Sequence, residues 1–202
     1  MTTQVKDFYT AVKERRTIYT LSKESPVADE RIQEVVEHAV KHTPTAFNSQ
    51  GARAVVLLND HHDKLWNMTT ETLKEIVPGD KFESTQERMD GFKNAYGTVL
   101  FFEDMSIVEG LQEQMPVFAD NFPLWAQQSN GMLQYVIWTS LEQEGFGASL
   151  QHYNPLIDEK VKSEWNIPDS WKLIAQMPFG KPAAPAGEKD FQPVESRVQI
   201  HK

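Results

Sequence analysis

Three short stretches carry the side chains with which this chain could do chemistry. Arg15-Arg16-Thr17-Ile18-Tyr19 leaves abruptly from a helix-like segment that runs from about Val5 to Glu14. Two guanidinium forks and a hydroxyl on one short exit suit a phosphate group, through charged bidentate hydrogen bonds and one neutral bond. The same arginines fit a cationic cap on the helix C-terminus equally well. The second stretch, Thr43-Pro44-Thr45-Ala46-Phe47-Asn48-Ser49-Gln50-Gly51, is dense in hydroxyls and carboxamides and enters a strand-like run, Arg53–Leu58. Uncharged polar groups ahead of a buried strand can read the edge of a heteroaromatic ring, and an ordinary turn has the same composition. In the third, Gln151, His152, Tyr153 and Asn154 sit side by side and are closed by Pro155. They present several donors and acceptors on one loop, either to a ligand or simply as a hydrogen-bonded turn that caps the core.

Other chemistry is excluded. The chain has no cysteine, hence no disulfide, thiolate nucleophile or zinc–sulfur site. His61 and His62 are adjacent on a helix, where neighbours do not face each other, and no third ligand is at hand. They are expected at a solvent-facing helix start, with no metal. Glu103-Asp104 ends a strand, on which adjacent side chains point to opposite faces, so the pair is read as strand termination. A formal charge of -9 argues against nucleic acid, which demands a basic footprint. No apolar run approaches the roughly 20 residues that span a bilayer. The polar, amphipathic N-terminus lacks the apolar core of a secretory signal, which makes cytoplasm the expected location.

These stretches need a scaffold. With 202 residues, 40% of them hydrophobic, and with eleven phenylalanines and five tryptophans, the chain has material for one domain, 1–202. The first helix carries Val5, Phe8, Tyr9 and Val12 on one stripe. A second helix is expected from Asp29 to about Lys41 with Ile32, Val35, Val36, Ala39 and Val40 inward. Further helices are read from His61 to about Val77, from about Lys81 to Lys93 and from Asp158 to Trp165. Thr98–Phe102 is apolar without alternation, as in a central strand. Trp171–Met177 reads as another strand, and Ile107–Phe122 as a loose helix and loop with exposed aromatics Phe118 and Phe122. The longest helix starts near Pro123 and is apolar on most sides, which implies burial. Gly145 ends it, and Gly147 is expected to allow a tight turn. The tail 183–202 ends in the strand-like Arg197–Ile200, which must pair with a sheet of its own chain or of a partner.

In this order, Arg15-Arg16-Thr17, Pro44-Thr45-x-x-Asn48-x-Gln50, the Gly147–Pro155 turn and a basic tail resemble the FMN-dependent nitroreductase family over essentially the whole chain. The forms FNSQGAR, YGTVLFFED, ADNFPLWAQQSNGMLQY, GASLQHYNP and WKLIAQMPFG look like its short, fatty-acid-repression-mutant-like branch. The resemblance implies an α+β fold: a mixed, mainly antiparallel sheet flanked by helices. It also implies a homodimer formed through the long helix, with the C-terminal strand exchanged between subunits and FMN at the interface. Arg15, Arg16 and Thr17, with Tyr19 beside them, would hold the phosphate and ribityl end. Pro44, Thr45, Asn48 and Gln50 would approach the isoalloxazine from the other subunit, and Gln151, His152, Tyr153 and Asn154 would cover the ring near its N5 and O4 edge. Asn154-Pro155 stands where larger members place a glutamate and a glycine. In the tail Lys189 keeps one of two basic residues that the family often directs at the phosphate; Phe191 replaces the other, for which Arg197 is a substitute candidate. Lys93 and Arg88 are candidates at flavin N1 and O2.

Hydride from NADH or NADPH would enter at flavin N5 and pass, by ping-pong kinetics, to a nitroaromatic, nitroso compound or quinone stacked in a cleft of Phe47, Phe118 and Phe122. No covalent nucleophile is implied. The alternative is a flavin-binding stress or regulatory protein in which turnover is incidental.

Overall fold

The computed structural model describes residues 6–202, so the reading of Val5 lies outside the described residues. Five antiparallel strands form the sheet: β1 (Leu21–Ser22), β2 (Ala52–Leu58), β3 (Gly97–Asp104), β4 (Gly147–Ala148) and β5 (Trp171–Pro182). The order is β1-β5-β3-β2, and β4 also pairs with β5. This is the expected α+β arrangement. Every residue of β3 is buried because both of its faces are covered. Val99 and Phe101 face a core built with Ile32, Val36, Leu133 and Ile137, while Leu100 and Phe102 face a second core with Leu65, Trp66, Phe92 and Val161. Such two-sided burial is why the strand reads as a continuous apolar run. β5 runs through to Pro182, past the expected end at Met177, and its pairing with β3 shifts register between Phe101 and Phe102.

The helices are α1 (Phe8–Glu14), α2 (Asp29–His42), α3 (Asn59–Lys74), α4 (Phe82–Lys93), α5 (Met105–Gln114), α6 (Phe122–Gln143) and α7 (Asp158–Trp165). Asp7 caps α1 by accepting from the amides of Tyr9 and Thr10, and Asp104 caps α5 from Ser106.

Several expectations are corrected. In α1 the buried residue is Ala11, whereas Phe8 and Tyr9 are exposed; in α2, Val40 is exposed too. Only one face of α6 is buried in the single chain, through Ser129, Asn130, Leu133, Ile137 and Leu141. Its other face leaves Leu124, Met132 and Tyr135 exposed. His62 is 1% exposed rather than facing solvent. Its Nδ1 is 2.9 Å from the Thr98 hydroxyl and its Nε2 3.2 Å from the Lys93 carbonyl, so an imidazole with both nitrogens satisfied anchors the end of α4. Phe122 is 2% exposed, unlike Phe118. Gly147 has no left-handed backbone; a Cβ there would meet Cβ of Ile18 at 2.8 Å, so close approach requires glycine. Gly145 does end α6, at φ +90°. Arg197–Ile200 is not a strand in the single chain: the tail holds one short 3-10 turn, Val194–Ser196, and is exposed.

Candidate functional site

The first stretch leaves α1 and runs beside β4. Thr17 forms a parallel bridge with Ala148, and the amide of Ile18 donates to the Ala148 carbonyl at 3.0 Å. Glycine at 147 permits this approach. Arg15 lies over the Trp138 ring, 4.4 Å from its centroid, and its Nε is buried with no hydrogen-bond partner. Arg16 donates to the carbonyl of Gly187 at 2.8 Å. Among the described residues neither guanidinium hydrogen-bonds a carbonyl of α1. A buried, unpaired guanidinium donor is costly unless something accepts from it.

Beyond the arginines, Tyr19 and Leu21 open onto a cavity of about 600 Å³ whose far side is Arg88, Gly91 and Asn94 from α4 and its exit. Gln151 completes it. The first and third stretches therefore meet, and the meeting point is β4. Arg88 lines this cavity; Lys93 does not.

Within the third stretch the four side chains diverge. Gln151 pairs through its backbone with Gln176, N to O at 2.7 Å and O to N at 2.9 Å. His152 is exposed. Tyr153 turns away from the cavity to pack edge-on against Trp66, with centroids 5.8 Å apart. Burial raises its phenol above the usual range, an effect the positive charge of Arg88 partly offsets. Its amide donates to Oε1 of Gln176 at 2.7 Å, while Nε2 of Gln176 reaches Oδ1 of Asn154 at 3.4 Å. Gln176 is 0% exposed in the middle of β5, and it organises the turn. Sequence reasoning missed it. The available signal was one carboxamide inside the apolar run Leu173–Met177, where an unsatisfied side chain would be expensive.

The second stretch lies elsewhere on the chain. Phe47, Asn48 and Gln50 have φ of 56°, 51° and 52°, the left-handed region that costs a residue with a Cβ about 1–2 kcal/mol. The Thr45 hydroxyl accepts from the Gln50 amide at 3.0 Å, and Arg53 donates to the Gln50 carbonyl at 2.5 Å. Phe47 stands over an aromatic cluster, 6.2 Å from Phe118, 5.7 Å from Phe122 and 5.9 Å from Trp125. The three phenylalanines named from the sequence are thus brought together, with Trp125 as a fourth wall that was not anticipated there. Pro44 edges an open, largely apolar groove of about 630 Å³ along the outward face of α6, with Phe8, Met132 and Tyr135.

Beneath this loop the expected strand end is a polar junction. Asp104 pairs with Arg53 at 3.1 Å. Although burial opposes it, hydrogen bonds from Ser106 and Ser170 and the Arg53 charge hold the Asp104 carboxyl below the usual carboxylate range. Glu103 goes the other way: burial raises it, against hydrogen bonding from Asn130. In the tail, Lys189 lies 5.2 Å over the Phe191 ring, two residues beyond the Gly187 carbonyl that Arg16 holds. Among the described residues Arg197 makes only a local backbone bond, to Val194.

The family model described as "Nitroreductase family" matches residues 12–181, and the chain belongs to the nitroreductase family of oxidoreductases. Two Saccharomyces cerevisiae proteins are similar over most of their length. The putative nitroreductase HBN1 is 39% identical over 188 residues, 92% of each chain, and the nitroreductase FRM2 is 36% identical over 187 residues, 92% of this chain and 93% of its own. These relatives place the chain with the fatty-acid-repression-mutant-like branch. Among solved structures, nitroreductase CinD from Lactococcus lactis in complex with nicotinic acid is 46% identical. It covers 97% of this chain and 100% of its own, with a TM-score of 0.90; CinD is also known with chloramphenicol and with 4-nitrophenol. At the level of fold alone, a Desulfitobacterium hafniense nitroreductase with bound FMN matches at a TM-score of 0.70 and 16% identity, covering 98% of this chain and 100% of its own.

Proposed function

We propose that this chain is an FMN-dependent NAD(P)H oxidoreductase that reduces nitroaromatics, quinones and similar electron-poor acceptors, working as a homodimer with two flavins at its interface. The observation that carries the reading is the unpaired, buried Nε of Arg15 on the same exit whose Tyr19 opens onto a 600 Å³ cavity lined also by Arg88 and Gln151. That donor set fits FMN. Arg15 and Arg16 offer cationic forks to the phosphate, with Thr17 and Tyr19 beside them and Lys189 brought toward them by the Gly187 contact. Gln151 and Asn94 offer carboxamides to the edge of the ring, and Arg88 offers positive charge to its pyrimidine end. Bound FMN would supply the hydride chemistry that links a nicotinamide donor to the acceptor.

The protein's share is binding, charge and exclusion of water. Arg88 stabilises negative charge at the pyrimidine end when the cofactor is reduced. Gln176 fixes the backbone from Gln151 to Asn154 against the ring. His152, exposed at the crest of that turn, and Asn154, on Gln176, complete the edge. The exposed rings of Phe47 and Phe118, backed by the buried Phe122, offer an aromatic surface to a flat ring. CinD's complexes with nicotinic acid and two nitroaromatic compounds are in keeping with one stacking space used first by the donor and then by the acceptor.

The separation of the two halves supports a dimer. Pro44, Thr45, Asn48 and Gln50 do not line the Arg88 cavity of their own chain, so a second copy, docked along the apolar outward face of α6, supplies them. The exposed tail, with Phe191, Val198 and Ile200 uncovered, lies on the partner, where Arg197–Ile200 pairs with its sheet and Arg197 comes within reach of a phosphate.

The test is cofactor content. The purified Arg15→Ala/Arg16→Ala variant is expected to fold and to lose its flavin absorbance. Full retention of flavin would overturn the assignment of these arginines.

A further inference from the structure

We propose that Arg53 and Asp104 form a clasp that sets the width of the aromatic cleft, making Arg53 a positioning and specificity-determining residue although it lies outside the cleft. The step from cleft width to acceptor choice rests on the function proposed above. The clasp itself does not.

The proposed cleft is bounded by two rings from distant parts of the chain, with centroids 6.2 Å apart. One is Phe47, on a loop with three non-glycine residues in left-handed conformation. Such a loop relaxes unless its surroundings over-determine it. Two bonds restrain it at its end: the Gln50 amide to the Thr45 hydroxyl, and the Gln50 carbonyl to Nη1 of Arg53. The opposite wall is Phe118, in the 3-10 turn Pro116–Asn121 that follows α5. This turn is tied back to α5 by Gln112, whose Nε2 donates to the Ala119 carbonyl at 2.9 Å, and by the Phe118 amide on the Met115 carbonyl. The other end of α5 begins at Asp104, which accepts from both the amide and the hydroxyl of Ser106.

Arg53 bridges the two. Its Nη2 donates to Oδ2 of Asp104 while Nη1 holds Gln50, and its guanidinium lies 5.5 Å from the Trp171 ring centroid. A further backbone bond, Asp104 amide to Gly51 carbonyl at 2.9 Å, closes the same junction. The ten residues of α5 act as a strut about 15 Å long. Loop, guanidinium, carboxylate and strut therefore form one continuous path from Phe47 to Phe118, and those two rings meet across the cleft. A planar fork can serve both partners at once, whereas a lysine ammonium lacks the second arm.

The experiment is hydrogen exchange on the purified protein, for the peptides covering 45–51 and 115–122, in wild type, Arg53→Met, Arg53→Lys and Asp104→Asn. It needs no turnover and no bound flavin, so its failure is distinguishable from failure of the flavin reading. Arg53→Met is expected to speed exchange in both segments by about tenfold, the scale set by one lost hydrogen bond of ordinary strength. Arg53→Lys is expected to loosen 45–51 while leaving 115–122 nearer wild type. If Arg53→Met unfolds the protein, Asp104→Asn, which keeps the shape of the side chain, gives the same reading. Alongside, the ratio of KM for a two-ring quinone to KM for a one-ring quinone should fall several-fold in Arg53→Met and recover in part in Arg53→Lys. Exchange that rises only at 45–51 in Arg53→Met and Asp104→Asn, or an unchanged KM ratio with both segments loosened, would overturn the proposal.

Discussion

The amide of Tyr153 donates to the side-chain carbonyl of Gln176 at 2.7 Å, so the polar turn after α6 is held by a carboxamide rooted in a buried strand. Gln176→Leu removes the acceptor and leaves the Tyr153 amide without its partner. A cost of about 1–3 kcal/mol is expected, read as a lower midpoint in urea unfolding, together with weaker flavin retention. Gln176→Leu with wild-type flavin affinity would show that the turn does not depend on it.

Gly147 and Ile18 form a second such relationship. Gly147→Ala places a methyl group where Ile18 already stands, and overpacking of this kind costs about 1–3 kcal/mol. The exit that carries Arg15 and Arg16 must then move off β4. Flavin loss in Gly147→Ala, with recovery in Gly147→Ala/Ile18→Ala, is the expected pattern, a coupling that single variants do not reveal.

The pH dependence of stability follows from His62. Burial lowers it from 6.5 to about 4, so it remains neutral in the folded chain where the unfolded chain has already taken up a proton. Between those values stability falls as pH falls, by about 3 kcal/mol across the window. Urea midpoints measured from pH 7 to pH 4.5 should show that slope, and His62→Gln, less stable at pH 7, should flatten it.

The outward face of α6 gives a further test. Met132→Glu places a charge amid Phe8, Pro44 and Tyr135 and is expected to yield monomers by sedimentation. In the proposed dimer the loop from Pro44 to Gln50 reaches the cofactor from a second copy, so the monomer should also lose its flavin. A monomer that keeps flavin would contradict the shared site.

Legibility of the sequence followed the range of the forces involved. β3 was readable because burial on both faces leaves an unbroken apolar run, and α7 because its periodicity is local. The two proposed halves of the site stand out in the sequence as short polar clusters, Arg15-Arg16-Thr17 and the Thr45, Asn48, Ser49 and Gln50 of one loop. His62 was misread: on paper a polar residue at a helix start is solvated, and its partners, Thr98 and the Lys93 carbonyl, come from elements more than 30 residues away. Phe122 was misplaced because exposure depends on how the 3-10 turn folds back on α6. Gln176 and Arg53 were missed because a decisive partner of each, Tyr153 and Asp104, lies more than 20 residues away in sequence.

The central claim is that a bound flavin accepts electrons from a nicotinamide. Its most direct measurement is the absorbance spectrum of the purified protein before and after anaerobic addition of NADH or NADPH. The account predicts flavin bands that bleach and return on addition of a nitroaromatic or a quinone. Flavin bands that persist with both donors would contradict it.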